Sequence, residues 1–232
     1  MDELRLQGTL HLPDCARPNL VVGSHGLYSS GESPKQVELA RRCCRRGIAY
    51  FRIDHRGCGR SQGRFETVTT LAGRRRDLLQ AVAHLRGAFE LGNGLGLFGS
   101  SFGGATCLAA ASALRPQRLV TLAAPVDSRS ILSAAENHAS PVERLFLNEA
   151  FQFDLRKAIR PITGLLVMHG DRDEVIPPAH ADIIFESVRD PKERLIISGG
   201  DHRLSRRKDQ RQFITATLAW FKPMEAPSWA GR

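Results

Sequence analysis

Short runs of apolar and β-branched residues alternate along this chain with longer segments whose apolar positions recur every three to four residues. Strands buried on both faces read as continuous apolar runs, so the alternation predicts an α/β fold: a mostly parallel central sheet with helices on both faces. The stretch Leu4–Leu12 reads as an edge strand or hairpin. Buried strands are expected within Asn19–Gly26, Ile48–Gly57, Gly94–Gly99, Arg118–Pro125, Gly164–Gly170 and Glu193–Gly200. Helical spacing with glycine stops marks Ser33–Gly47, Thr70–Gly87 and Phe102–Arg115, and a last helix is expected over Asp209–Lys222. Between Val126 and Thr163 the pattern changes to two short helices broken at Pro141, where a small cap could sit. The whole chain, 1–232, is therefore expected to be one domain with a short cap at about 126–163 and a frayed tail after Lys222.

Composition narrows the function classes. With 42% hydrophobic and 25% charged residues, and no apolar run long enough for a bilayer crossing, the expectation is a soluble cytoplasmic protein without a membrane partner. The opening "MDELRLQGTL" lacks the basic and apolar regions of an export signal. A net charge of +9 would suit nucleic acid, but the arginines are scattered in twos and threes with acids between them and no interleaved aromatics. A solvated basic surface is the expectation, with no nucleic-acid partner. Five cysteines without a C-x-x-C or zinc spacing read as reduced thiols, so neither a metal nor a cofactor is expected.

The candidate chemistry lies in "GLGLFGSSFGGAT", Gly94–Thr106, which carries three glycine signatures at once. A dinucleotide turn needs its glycines after the strand and an acid at the end of the next one, and "RLVTLAAP" supplies none. A phosphate loop needs a lysine where Ala105 stands. The third reading, G-x-S-x-G at Gly99, Ser101 and Gly103, has strand, tight turn and helix in the required order. It makes Ser101 the candidate nucleophile, with helix amides directly behind it for a developing oxyanion.

A serine needs a base and an acid to orient that base. His11, His84, His138 and His180 lie on an edge strand or helical segments, and His25, His55 and His169 end strands at glycine-containing turns, which suits structural roles. His202, in "SGGDHRLS" between the last strand and the last helix, falls at the same sheet edge as Ser101. The acid is sought in "HGDRDEVIPP", where Asp171 is assigned to capping the turn and Asp173 to the site. The order Ser101, Asp173, His202 is the α/β-hydrolase order and neither protease order.

With "VVGSHG", "IDHRGCGRSQG", "GSSFGG", "HGDRDEVIP" and "GGDH" in sequence, the chain resembles the α/β-hydrolase family over nearly its whole length. It resembles the branch of small esterases that includes cinnamoyl, feruloyl and dienelactone-hydrolase-like enzymes, and the serine aminopeptidase and prolyl-oligopeptidase groups share the motifs. The resemblance implies oxyanion donors at the backbone N–H groups of Leu27 and Phe102, a loop shaped by His25 and Gly26, and a neighbouring turn braced by Asp54, Arg56 and Gly57. Many relatives carry an aromatic residue where Leu27 stands.

The function expected is cleavage of a small-molecule carboxylic ester through an acyl-enzyme, with a homodimer as a possible assembly. Phe146, Leu147, Phe151 and Phe153 either line an acyl pocket or pack the cap on the core, and Arg129 and Arg144 are candidate contacts for an anionic group. A peptidase, thioesterase or acyltransferase would use the same triad. A non-catalytic binding protein on this fold, or a metallohydrolase built on His169, Asp171, Asp173 and His202, are the remaining alternatives.

Overall fold

The computed structural model describes residues 4–129 and 151–224. Seven strands form one sheet: β1 (Gln7–His11), β2 (Asn19–Ser24), β3 (Ile48–Asp54), β4 (Leu95–Ser100), β5 (Arg118–Leu122), β6 (Leu165–Gly170) and β7 (Lys192–Ile197). Their spatial order is β1-β3-β2-β4-β5-β6-β7, with β1 antiparallel to β3 and every other pair parallel. The helices are α1 (Pro34–Cys44), α2 (Phe65–Val68), α3 (Leu71–Ala88), α4 (Phe102–Leu114), α5 (Ala179–Ser187) and α6 (Arg207–Phe221).

Alternate residues of each central strand enter opposite core layers. Leu20, Val22, Leu95 and Leu97 pack with α3 and α4, while Val21, Phe98 and Val120 pack with Leu39 of α1 and Phe213 and Phe221 of α6. Since neither face is solvated, no polar alternation marks these strands in the sequence.

The chain runs from β2 to β3 on one side and then returns across β2 to β4 on the other. A crevice opens where the order reverses, outside the carboxyl ends of β2 and β4, and in open α/β sheets this is where ligands bind. The loop after β2 and the turn after β4 both end there.

The seven strands and the four predicted helices are present, most of them a few residues shorter than the sequence pattern suggests, and α2 and α5 are additional. Of the segment expected to form a cap, residues 130–150 lie outside the described residues, and with them His138, Pro141, Arg144, Phe146 and Leu147. The described part returns to the core: Asp127 bridges Asp154, and Phe151, Leu155, Ile159 and Ile162 are buried in the α3/α4 layer. Among the described residues no helix is long and apolar enough to cross a membrane, and none of the five cysteines forms a disulfide.

The reading of the arginines as surface residues needs correction. Arg52, Arg56 and Arg74 are buried, Arg74 completely. Each has internal acceptors, which is what makes burying a guanidinium tolerable.

Candidate active site

Ser101 sits between the last residue of β4 and the first of α4 with φ 53° and ψ −127°. A side chain in that region costs about 1–3 kcal/mol and persists only where its surroundings enforce it. Here they do. The Ser101 N–H donates to Leu122 O at 2.8 Å, and the Ser101 carbonyl accepts from Gly104 and Ala105 to start α4. A methyl on Gly99 would lie 2.3 Å from Gly103 O, and one on Gly103 would lie 2.3 Å from Ser24 O and 2.5 Å from His25 O. The spacing of glycines around the serine is thus a packing requirement: α4 touches the carboxyl ends of its own strand and of β2.

His202 and Asp173 come from the loops after β7 and β6. The His202 Nδ1 lies 2.9 and 3.0 Å from the two Asp173 carboxylate oxygens. An ionised carboxylate only accepts, so the proton is assigned to Nδ1, leaving Nε2 of the neutral ring without one and able to take one. Asp173 is itself fixed: its Oδ1 accepts from Val175 N–H (2.9 Å) and Ile176 N–H (2.8 Å), and His169 Nε2 lies 3.1 Å from Oδ2. Although burial alone would raise its pKa, the hydrogen bonds from His169, His202 and Ile176 outweigh it and hold the carboxyl well below the ordinary range. Glu174 accepts the His202 backbone N–H at 3.1 Å, which positions the loop as well as the ring. Asp171 caps the neighbouring turn by accepting from Gly199 N–H at 2.5 Å.

Ser101, His202, Leu27 and Phe102 all line one cavity of about 590 Å³, together with Tyr28, Lys35, Val175, Ile176 and Arg203 among others. Within it, among the described residues, no hydrogen bond joins the Ser101 hydroxyl to the His202 ring. Catalytic hydrogen bonds without substrate are often long, and both side chains line the one cavity. Lys35 Nζ donates to Arg203 O at 2.6 Å, which ties α1 to the His202 loop. Phe151 and Phe153 are not on the cavity wall; they flank the Phe102 ring, at centroid distances of 5.9 and 6.1 Å, and so pack against the core.

Beneath the loop after β2 lies a polar cluster. Asp77 accepts from Arg56 N, Nε and Nη2 at 3.0, 2.8 and 2.7 Å, and His55 Nδ1 lies 3.4 Å from it. His55 Nε2 meets Ser24 Oγ at 2.8 Å. Burial depresses both ring pKa values, His55 to about 4 and His25 well below its usual value, so both rings are neutral. Cys58 is buried beside Arg74 rather than facing the cavity, and burial raises its thiol pKa.

Sequence reasoning passed over Arg74 and Asp77. The signal was available: α3 buries Leu71, Leu78, Val82 and Leu85, and Arg74 and Asp77 fall among these core positions rather than on the outer face. Among the described residues, no three His, Cys, Asp or Glu side chains are grouped to hold a metal ion.

A mostly parallel sheet with a strained serine elbow at its centre and a His-carboxylate pair beyond it is the α/β-hydrolase fold. Residues 17–152, more than half of the chain, match the model of the serine aminopeptidase, S33 family, and the chain belongs to that family. It is 28% identical over 208 residues to the Escherichia coli K12 protein YfhR, covering 87% of this chain and 70% of that one. Among solved structures it is similar to Est1E from Butyrivibrio proteoclasticus, determined with ferulic acid bound (TM-score 0.76, 19% identity, 94% of this chain and 97% of that one). XC6422 from Xanthomonas campestris, described as an α/β serine hydrolase without a lid, is similar too (TM-score 0.70, 21% identity, 96% and 91%). The protein is a hydrolase.

Proposed function

We propose that this hydrolase cleaves carboxylic esters through an acyl-enzyme, with Ser101 as nucleophile, His202 as base and Asp173 as the group that orients and stabilises the imidazolium. The observation that carries the reading is the strained Ser101 elbow facing the same cavity as a ring already bonded through Nδ1 to a buried carboxylate. His202 Nε2 takes the hydroxyl proton as Ser101 Oγ attacks the carbonyl carbon, and the oxyanion lies against the N–H groups of Leu27 and Phe102. Collapse breaks the ester C–O bond, and the proton passes from Nε2 to the departing alcohol. Water then repeats the sequence on the acyl-enzyme, releasing the acid and restoring Ser101.

The family's description favours a second reading, a peptidase acting on a free N-terminus. Two cations, Lys35 and Arg203, line the cavity, and they disfavour an α-ammonium group, so ester cleavage stands first. Est1E holds ferulic acid, which makes aromatic acid esters a rational first panel.

The test is hydrolysis of p-nitrophenyl butyrate and methyl ferulate against alanine p-nitroanilide, with fluorophosphonate labelling. Ser101→Ala is expected to lose labelling and about 10⁴-fold or more of the ester rate while keeping its melting temperature. Asp173→Asn is expected to lose about 10³–10⁴-fold, since the ring loses its tautomer. Full activity in clean Ser101→Ala protein would refute the assignment, and anilide cleavage without ester cleavage would favour the peptidase.

A further inference from the structure

Arg74 is fully buried, and among the described residues no carboxylate lies within ion-pair distance of it. Asp77, three residues on, is already taken by Arg56 and His55. The two terminal nitrogens of the Arg74 guanidinium reach three consecutive carbonyls of the loop after β2, while its buried Nε has no partner among the described residues. Nη1 donates to His25 O (3.1 Å) and Gly26 O (3.2 Å), while Nη2 donates to Leu27 O (2.9 Å) and Cys58 Sγ (3.3 Å). Its carbon lies 5.2 Å from the Phe102 ring centroid, so the same cation touches the side chain at the other oxyanion position.

The Gly26 carbonyl belongs to the same peptide unit as the Leu27 N–H, and this peptide is trans. In a trans peptide the C=O and N–H point in opposite directions, so holding the oxygen sets where the hydrogen points. His25 holds the same oxygen. Its Nε2 accepts from His55 N–H at 3.1 Å, which leaves its proton on Nδ1, 2.7 Å from Gly26 O. Two donors therefore grip this oxygen from within the protein, whereas among the described residues the Leu27 N–H takes no protein partner.

We infer that Arg74 is a positioning residue for acyl transfer, aiming and polarising the Gly26–Leu27 peptide so that its N–H meets the oxyanion. The inference rests on the esterase reading above. Donation into the carbonyl strengthens the N–H on the other side of the same peptide as a donor. The buried positive charge also favours negative charge nearby, where low dielectric leaves it poorly screened. The planar fork is essential, because it reaches three carbonyls at once; an ammonium offers its donors from a single point.

The experiment compares wild type, Arg74→Met and Arg74→Lys on p-nitrophenyl butyrate, with kcat expressed per site titrated by a fluorophosphonate. Affinity for an aryl trifluoromethyl ketone, whose Ser101 adduct carries the oxyanion, is measured alongside. Arg74→Met is expected to lose about 10²-fold in kcat and in ketone affinity with KM changed by less than about threefold, the signature of an interaction made in the transition state. Arg74→Lys is expected to recover only part of both. A purely structural Arg74 would lower the melting temperature and leave kcat per titrated site and ketone affinity at wild-type values, and that result overturns the inference. Should Arg74→Met fail to fold, the lysine variant decides: a loss of about 10-fold in both readouts supports the role, and wild-type values refute it. Wild-type protein that neither labels nor hydrolyses the ester would overturn the esterase reading itself, and is seen before any variant is compared.

Discussion

Around Ser101 the backbone is held by close packing: Gly99 and Gly103 let α4 approach the ends of β4 and β2, and Gly104 lets it approach Ala124. Around Leu27, across the same cavity, it is held by the Arg74 side chain reaching from α3 and by the His25 ring, itself fixed by the His55 N–H just after β3. One wall tolerates no added volume, and the other tolerates no lost charge. A site of this kind can thus fail in two independent ways, and substitutions should separate them.

The largest effect is expected from Gly103→Ala. Its methyl would fall against two backbone oxygens that cannot swing aside, so a loss of at least about 4 kcal/mol, seen as absent soluble protein or a collapsed melting temperature, is expected. Asp77→Asn keeps the shape of the polar cluster and removes the carboxylate that Arg56 pairs with. Breaking a buried pair from one side costs about 3–5 kcal/mol, read as a lower urea midpoint; an unchanged midpoint would show that the cluster does not hold the loop.

The third effect is pH. His55 has a folded pKa of about 4 against an ordinary value near 6.5, so between those values the unfolded chain takes up a proton that the folded chain refuses. Stability is therefore present above about pH 6.5 and falls on acidification through that window, by about 3 kcal/mol for His55 alone, with His25 adding in the same direction. Urea midpoints at pH 7, 5.5 and 4.5 test this, and His55→Gln should flatten the slope. The elbow contributes nothing in this window; Asp173, its pKa depressed, supplies stability that is lost only below the ordinary carboxylate range. The smallest effect is expected at the exposed Arg156–Asp154 pair. Arg156→Ala should shift stability by less than about 0.5 kcal/mol and leave turnover intact.

The same contrast explains what could be read from the sequence. A turn shaped by packing leaves local marks: the glycines about Ser101 stand within five residues of one another, and strand and helix flank them. The order Ser101, Asp173, His202 is legible because each follows a recognisable strand. A loop held by side chains leaves none, since Arg74 acts on residues nearly fifty positions earlier, and the first arginine in "GRRRD" looks like part of any solvated run. Only its place among the buried positions of α3 distinguishes it from Arg75 and Arg76. The aromatic residues of the cap segment were ambiguous for a related reason: Phe151 and Phe153 answer to Phe102, a contact that no local pattern announces.

The strand order has one more consequence. Ser101 hangs from β4, fourth of seven and flanked on both sides, whereas His202 follows β7, the outermost strand, much of whose length is exposed. Rims of sheets unzip before their middles. On gradual heating the imidazole should drift from its carboxylate while the nucleophile still sits in its cradle, so turnover should vanish several degrees before the molecule as a whole melts.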